Sequence, residues 1–152
     1  MRTLTKAAAA VAVAATIALV PAPAQANAAA DEAEKLQKLD IMLMVSSLRC
    51  RFGADNFQTD YGRFVTAHRG TLNEAGQTMQ RNMNARHGPA AGKKALDRLN
   101  VQMANEYGQG HPWMGCKDLK SATGRLTQLR ERTQLVKAAD ELLSRRPVLA
   151  TR

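Results

Sequence analysis

Cysteine, aromatic side chains and long apolar runs are all scarce in this chain. Two cysteines among 152 residues exclude a disulfide-dense scaffold and a cysteine-rich zinc module. With no C-x-x-C spacing, a redox-active pair is not indicated, and no C-x-x-C-H site attaches a haem. One tryptophan, two tyrosines and three phenylalanines leave no aromatic platform between the basic residues, so the stacking surface of a single-strand nucleic-acid binder is missing. No segment alternates apolar and polar residues with a period of two, and β-branched residues are few, which excludes a sheet protein. The motifs G-x-S-x-G, H-E-x-x-H, S-x-x-K and the phosphate-binding Walker loop are absent. Acidic residues are also short: 13 against 22 lysines and arginines, a formal charge of +9.

What is present begins with a leader. Met1 to Lys6 carries Arg2 and Lys6 and no acid, and Ala7 to Val20 is apolar apart from Thr16. Pro21-Ala22-Pro23-Ala24-Gln25-Ala26 follows and ends in an A-x-A site. This order predicts a secretory signal peptide over 1–26, cleaved after Ala26, with Ala28 the second choice. The apolar run of 14 residues falls short of the roughly 20 that span a bilayer, and no later run reaches that length, so no transmembrane segment is expected after cleavage. No lipobox cysteine follows the leader. Cleavage leaves 126 residues with 20 bases, 13 acids and a charge of +7, destined for the periplasm or the medium.

The rest reads as four amphipathic helices after a mobile lead-in over 27–33, in a helical domain over 34–146 with a frayed tail at 147–152. In the first helix, over about 31–52, Leu36, Leu39, Leu43, Ser46 and Cys50 recur at three-four spacing, and Ile41, Met42, Met44, Val45 and Leu48 widen the stripe. Gly53 is the expected stop. Asp55 reads as the N-cap of the second helix, with Gln58 completing a capping box. Its face is Phe57, Tyr61, Phe64, Val65, His68, Leu72, Ala75, Met79 and Met83, with a break expected near Gly70. Gly88-Pro89 separates it from a third helix that ends at Tyr107. A fourth starts near Pro112 or Trp113, carries Cys116, Leu119, Ala122, Leu126, Leu129, Val136, Ala139 and Leu143 inward, and is open to a split at Gly124. Four such helices with short loops predict an all-α, up-down-up-down four-helix bundle with helices 2 and 4 kinked. In that topology Cys50 and Cys116 fall at the same end, so an exported chain joins them in one disulfide across 66 positions. The alternative is two buried free thiols.

Chemistry is sparse. His68 lies in an apolar face whose neighbours at three and four residues are Phe64, Val65, Thr71 and Leu72, so it reads as a core histidine. Tyr107-Gly108-Gln109-Gly110-His111-Pro112-Trp113-Met114-Gly115-Cys116 is the most distinctive segment, and it makes His111 and Trp113 the candidate functional pair. The other reading of that segment is a turn capped by Trp113. The methionines Met42, Met44, Met79, Met83 and Met103 sit at core spacing and read as gap fillers. No catalytic residue, cofactor or metal ligand is assigned.

The segments Leu39-Asp40-Ile41-Met42-Leu43-Met44-Val45-Ser46-Ser47-Leu48-Arg49-Cys50-Arg51-Phe52-Gly53 and Asn105-Glu106-Tyr107-Gly108-Gln109-Gly110-His111-Pro112-Trp113 resemble short exported proteins of sphingomonad-type alphaproteobacteria. The resemblance covers most of the mature chain. Those proteins are of unknown function, and some carry the label S-adenosyl-L-homocysteine hydrolase. This sequence departs from such hydrolases in its length, in lacking a nucleotide-binding strand–glycine–helix unit and in its export leader, so the label implies no catalytic residue here. Leu126-Thr127-Gln128-Leu129-Arg130 resembles the Leu-Thr-x-x-Gln motif of small basic periplasmic stress chaperones, with Arg130 in place of the glutamine.

These readings converge on a non-catalytic exported protein that binds an acidic protein or an anionic envelope component; nucleic acid does not fit the compartment. A periplasmic stress chaperone and a haem- or metal-binding bundle using His68 or His111 are the alternatives.

Overall fold

The computed structural model describes residues 23–144. Residues 1–22 of the 1–26 leader, and residues 145–152 with the tail over 147–152, lie outside the described residues; residues 23–26 of the leader belong to the first helix. Six helices occur among those described: α1 (Pro23–Arg49), α2 (Gln58–Ala67), α3 (Arg69–His87), α4 (Pro89–Tyr107), α5 (Cys116–Gln128) and α6 (Arg132–Leu143). No strand occurs among them. The chain is all-α, and one disulfide joins Cys50 to Cys116 with their Cα atoms 5.7 Å apart.

α1 is the axis of the molecule and packs against each of the other five helices. Its three-four stripe explains this. Leu36, Leu39, Met42, Leu43, Ser46 and Cys50 are all buried, and Ala33, Ile41 and Ser47 extend the buried surface around the helix. The residues read as a mobile lead-in over 27–33 belong to α1, which burial of Ala33 ties down. Met44 and Leu48 do not belong to the core stripe and stand exposed.

α2 starts two residues later than the Asp55 cap would place it. Asn56, not Asp55, supplies the side chain: its Oδ1 accepts from the Gln58 N–H at 3.0 Å, while its amide donates to the Arg51 carbonyl at 2.9 Å. Phe57 at the N-cap is fully buried and sets the start. The break expected near Gly70 falls at His68, two residues earlier. The His68 ring is buried, with Nε2 2.8 Å from the Leu126 carbonyl, and the main chain there leaves helical geometry at φ −110°, ψ 15°. Gly88 takes φ +80° between α3 and α4, with Pro89 opening α4. Gly92 lets these two helices approach, because a Cβ there would stand 2.5 Å from Asn84 Oδ1 and 2.7 Å from its main-chain nitrogen.

The fourth predicted helix begins later, at Cys116, and is two helices. It breaks at Leu129–Glu131, where the main chain becomes extended, and not at Gly124, which lies inside α5. The reason lies in helical phase. Nine residues separate Leu126 from Leu135, about 180° around a continuous helix. Both are buried, so one straight helix cannot serve them. After the break α6 doubles back along α1. Arg132 meets Glu32 near its start, Lys35 meets Asp140, and the Leu142 carbonyl reaches His111 beyond the end of α4.

Candidate functional site

The disulfide gathers the C-terminal end of α1, the 50–57 loop, the loop between α4 and α5, and the start of α5. The two candidate loop residues lie here together. His111 is buried, with Nε2 3.0 Å from the Leu142 carbonyl, so Nε2–H donates. The Trp113 N–H approaches Nδ1 at 3.5 Å. The ring stacks on Tyr107 with centroids 5.9 Å apart and meets the Trp113 ring edge-on at 4.6 Å. Burial lowers the His111 pKa against a smaller opposing effect of the Leu142 carbonyl, so the neutral ring is favoured. Burial also pushes the Tyr107 hydroxyl up to about 12, with Glu106 adding to it. His111 is thus a strap that ties the loop to α6. His68 does the same between α2 and α5, and its ring tilts against Phe64 at 5.1 Å. Among the described residues, no three histidine, cysteine or acidic side chains gather at metal-binding spacing.

A cavity of about 230 Å³ lies against the disulfide, lined by Ser46, Arg49, Gln109, Gly110, His111 and Leu119 among others. Gly110 takes φ +108°, and a Cβ there would stand 3.1 Å from Arg49 Nε. The loop therefore fits against Arg49, whose Nη1 donates to the Gly108 carbonyl at 3.3 Å. The Ser46 hydroxyl at this cavity is buried without a hydrogen-bond partner.

The outer surface of this end carries a feature that the sequence reading assigned elsewhere. Met44, Leu48 and Phe52 recur every four residues and are 37%, 47% and 79% exposed. Met44 and Leu48 lie one turn apart on α1, and Phe52 follows three residues past its last residue, so the three mark an exposed apolar ridge at this end. Arg51 binds the ridge together: its Nη1 donates to the Leu48 carbonyl at 3.1 Å and its guanidinium lies 4.4 Å from the Phe52 ring centroid. The Lys120 ammonium donates to the Ala54 carbonyl at 3.2 Å, in the loop that follows Phe52, and Arg49 and Lys117 adjoin the bridged Cys50 and Cys116 in the chain. Most lysines and arginines among the described residues, at this end and on the other helices alike, stand outside ion pairs. Among the described residues the ion pairs join Lys35 to Asp140, Lys38 to Glu106, Arg63 to Asp60, and Arg132 to Glu32 and Glu74. None involves Arg49, Arg51, Lys117 or Lys120. The signal for the ridge was the four-residue spacing of Met44, Leu48 and Phe52 with Arg49 and Arg51 between them. It was absorbed into the broader apolar stripe of α1.

No helix among the described residues is long and apolar enough to cross a membrane. No protein-family model, no curated protein and no solved structure matches the chain.

Proposed function

We propose that this chain is an exported, disulfide-stapled helical protein without catalytic activity, which binds an anionic or acidic protein partner in the periplasm through its disulfide end. The observation that carries this reading is the exposed Met44–Leu48–Phe52 ridge beside Arg51 and Lys120, which stand outside the ion pairs found among the described residues. Exposed apolar side chains joined to unneutralised bases are the makings of a contact surface: the bases draw an anionic partner in, and the apolar chains hold it. The disulfide and the absence of a membrane-spanning helix among the described residues are compatible with export. Both candidate histidines spend a ring nitrogen on a main-chain carbonyl, which favours a binding surface over a chemical centre.

The test uses two probes: a labelled acidic peptide of alternating glutamate and leucine, and vesicles of phosphatidylcholine with about one quarter phosphatidylglycerol. The oxidised chain is expected to bind at least one of them at low salt, and Arg49→Gln with Arg51→Gln together to weaken that binding several-fold. Binding to neither probe, or binding untouched by the double substitution, overturns the reading.

A further inference from the structure

We infer that the partner of the disulfide end is a bilayer surface rich in anionic phospholipid, and that Phe52 is the side chain that enters it. This deepens the reading just given and rests on it. Phe52 is the most exposed of the large apolar side chains, at 79%, and it sits in the turn just beyond α1, beside Gly53 at φ +106°. The apolar material here is a projecting tip, followed down the helix by Leu48 and Met44. A tip of this kind needs a partner that deforms around it, and a headgroup layer does so without a preformed pocket. The aromatic ring suits the interface, where an apolar body meets polar surroundings.

The charge around the tip matches that partner. Arg51 lies on the Phe52 ring, so a guanidinium accompanies the aromatic to headgroup depth. Arg49 is the last residue of α1, and its guanidinium donates to the Gly108 carbonyl of the neighbouring loop. Lys120 is held to the 50–57 loop by its bond to the Ala54 carbonyl, and Lys117 follows Cys116, which the disulfide ties to Cys50. All four stand outside the ion pairs found among the described residues, as do most bases on the other helices; the paired bases are Lys35, Lys38, Arg63 and Arg132, and what sets these four apart is their place beside Phe52 and the disulfide. Asp55 lies in the 50–57 loop and Asp118 in the first turn of α5, where Asp118 accepts from the Gly115 N–H at 3.2 Å. Several unneutralised bases within one Debye length of a negatively charged leaflet add to one another, while a zwitterionic leaflet gives them little.

The experiment is vesicle sedimentation of the oxidised chain. Phosphatidylcholine vesicles are compared with vesicles that contain about one quarter phosphatidylglycerol, and the acidic peptide serves as a parallel arm. Wild type is expected to bind the anionic vesicles about ten-fold or more better than the neutral ones, with binding falling as salt rises. Phe52→Ala is expected to lose about five-fold or more of that binding, and Phe52→Trp to restore it. Phe52 is exposed, so both variants keep the fold, and circular dichroism checks that they do. Equal binding to both vesicle types, or wild-type affinity in Phe52→Ala, overturns the inference. Binding to the acidic peptide without binding to vesicles overturns it too, while leaving the broader reading in place. Binding to neither removes both.

Discussion

Changing both Cys50 and Cys116 to alanine is expected to cost about 4 kcal/mol of folding stability. The bridge closes a loop of 66 positions. For that length the chain-entropy relation gives about 14–15 cal/mol/K, or about 4 kcal/mol at room temperature. A domain of this size is stable by about 5–15 kcal/mol in all, so the loss is a large share. The double substitution avoids leaving a lone thiol to pair elsewhere. Urea unfolding followed by circular dichroism reads the effect, and a thermal scan should show the midpoint falling by about 15 °C. The slope of stability against urea supplies a second readout. The cross-linked unfolded chain is more compact and exposes less surface, so the slope should rise when the bridge is removed. A loss below about 1 kcal/mol with an unchanged slope would refute the view that the bridge acts by constraining the unfolded chain.

Leu135→Ala should cost about 2–5 kcal/mol in the same assay, since Leu135 is fully buried beyond the α5–α6 break; a cost under about 1 kcal/mol would mean that α5 and α6 form one straight helix. Two glycines should respond in opposite senses. Gly92→Ala should be strongly destabilising because its Cβ would meet the Asn84 main chain, whereas Gly124→Ala, with open space around it inside α5, should gain about 0.5–1 kcal/mol. His111 makes a pH prediction. Burial holds its folded pKa below the ordinary 6.5, so its contribution is fully present above that pH and is lost as pH falls through the lowered value. Urea midpoints between about pH 7.5 and about pH 5.5 should therefore fall in wild type and fall less in His111→Gln.

The helical class, the α3–α4 turn at Gly88-Pro89 and the disulfide were all legible, because each rests on a local rule. Those rules are three-four spacing, glycine and proline punctuation, and matching ends for two cysteines in an exported chain. Positions that depend on tertiary partners were harder to read. The bend near Gly70 is centred on His68, whose ring meets the Leu126 carbonyl 58 residues away, a contact no local rule supplies. The α5–α6 break carries no glycine or proline. Its only trace is the opposite phase of Leu126 and Leu135, which Leu129 and Val136 mask by continuing a plausible period. Phe57, buried in the core, stands at the α2 N-cap in place of Asp55, and Asn56 before it accepts from the Gln58 N–H. For the candidate surface, His111 and Trp113 are near neighbours in the chain and their rings meet edge-on, but a sequence could not show that Leu142 engages the imidazole. The ridge was hidden for a related reason. Met44 and Leu48 are apolar and one turn apart, and only the packing of the other helices decides which apolar residues of α1 stay uncovered.

The ridge can meet an envelope partner only if the chain is exported, trimmed and oxidised. The intact mass of the protein purified from periplasm, with and without reductant before alkylation, tests that most directly. The expected result is the mass of the chain beginning at Asn27, 126 residues long, with both cysteines refractory to alkylation until reduced. A full-length mass with two freely alkylated thiols would contradict it.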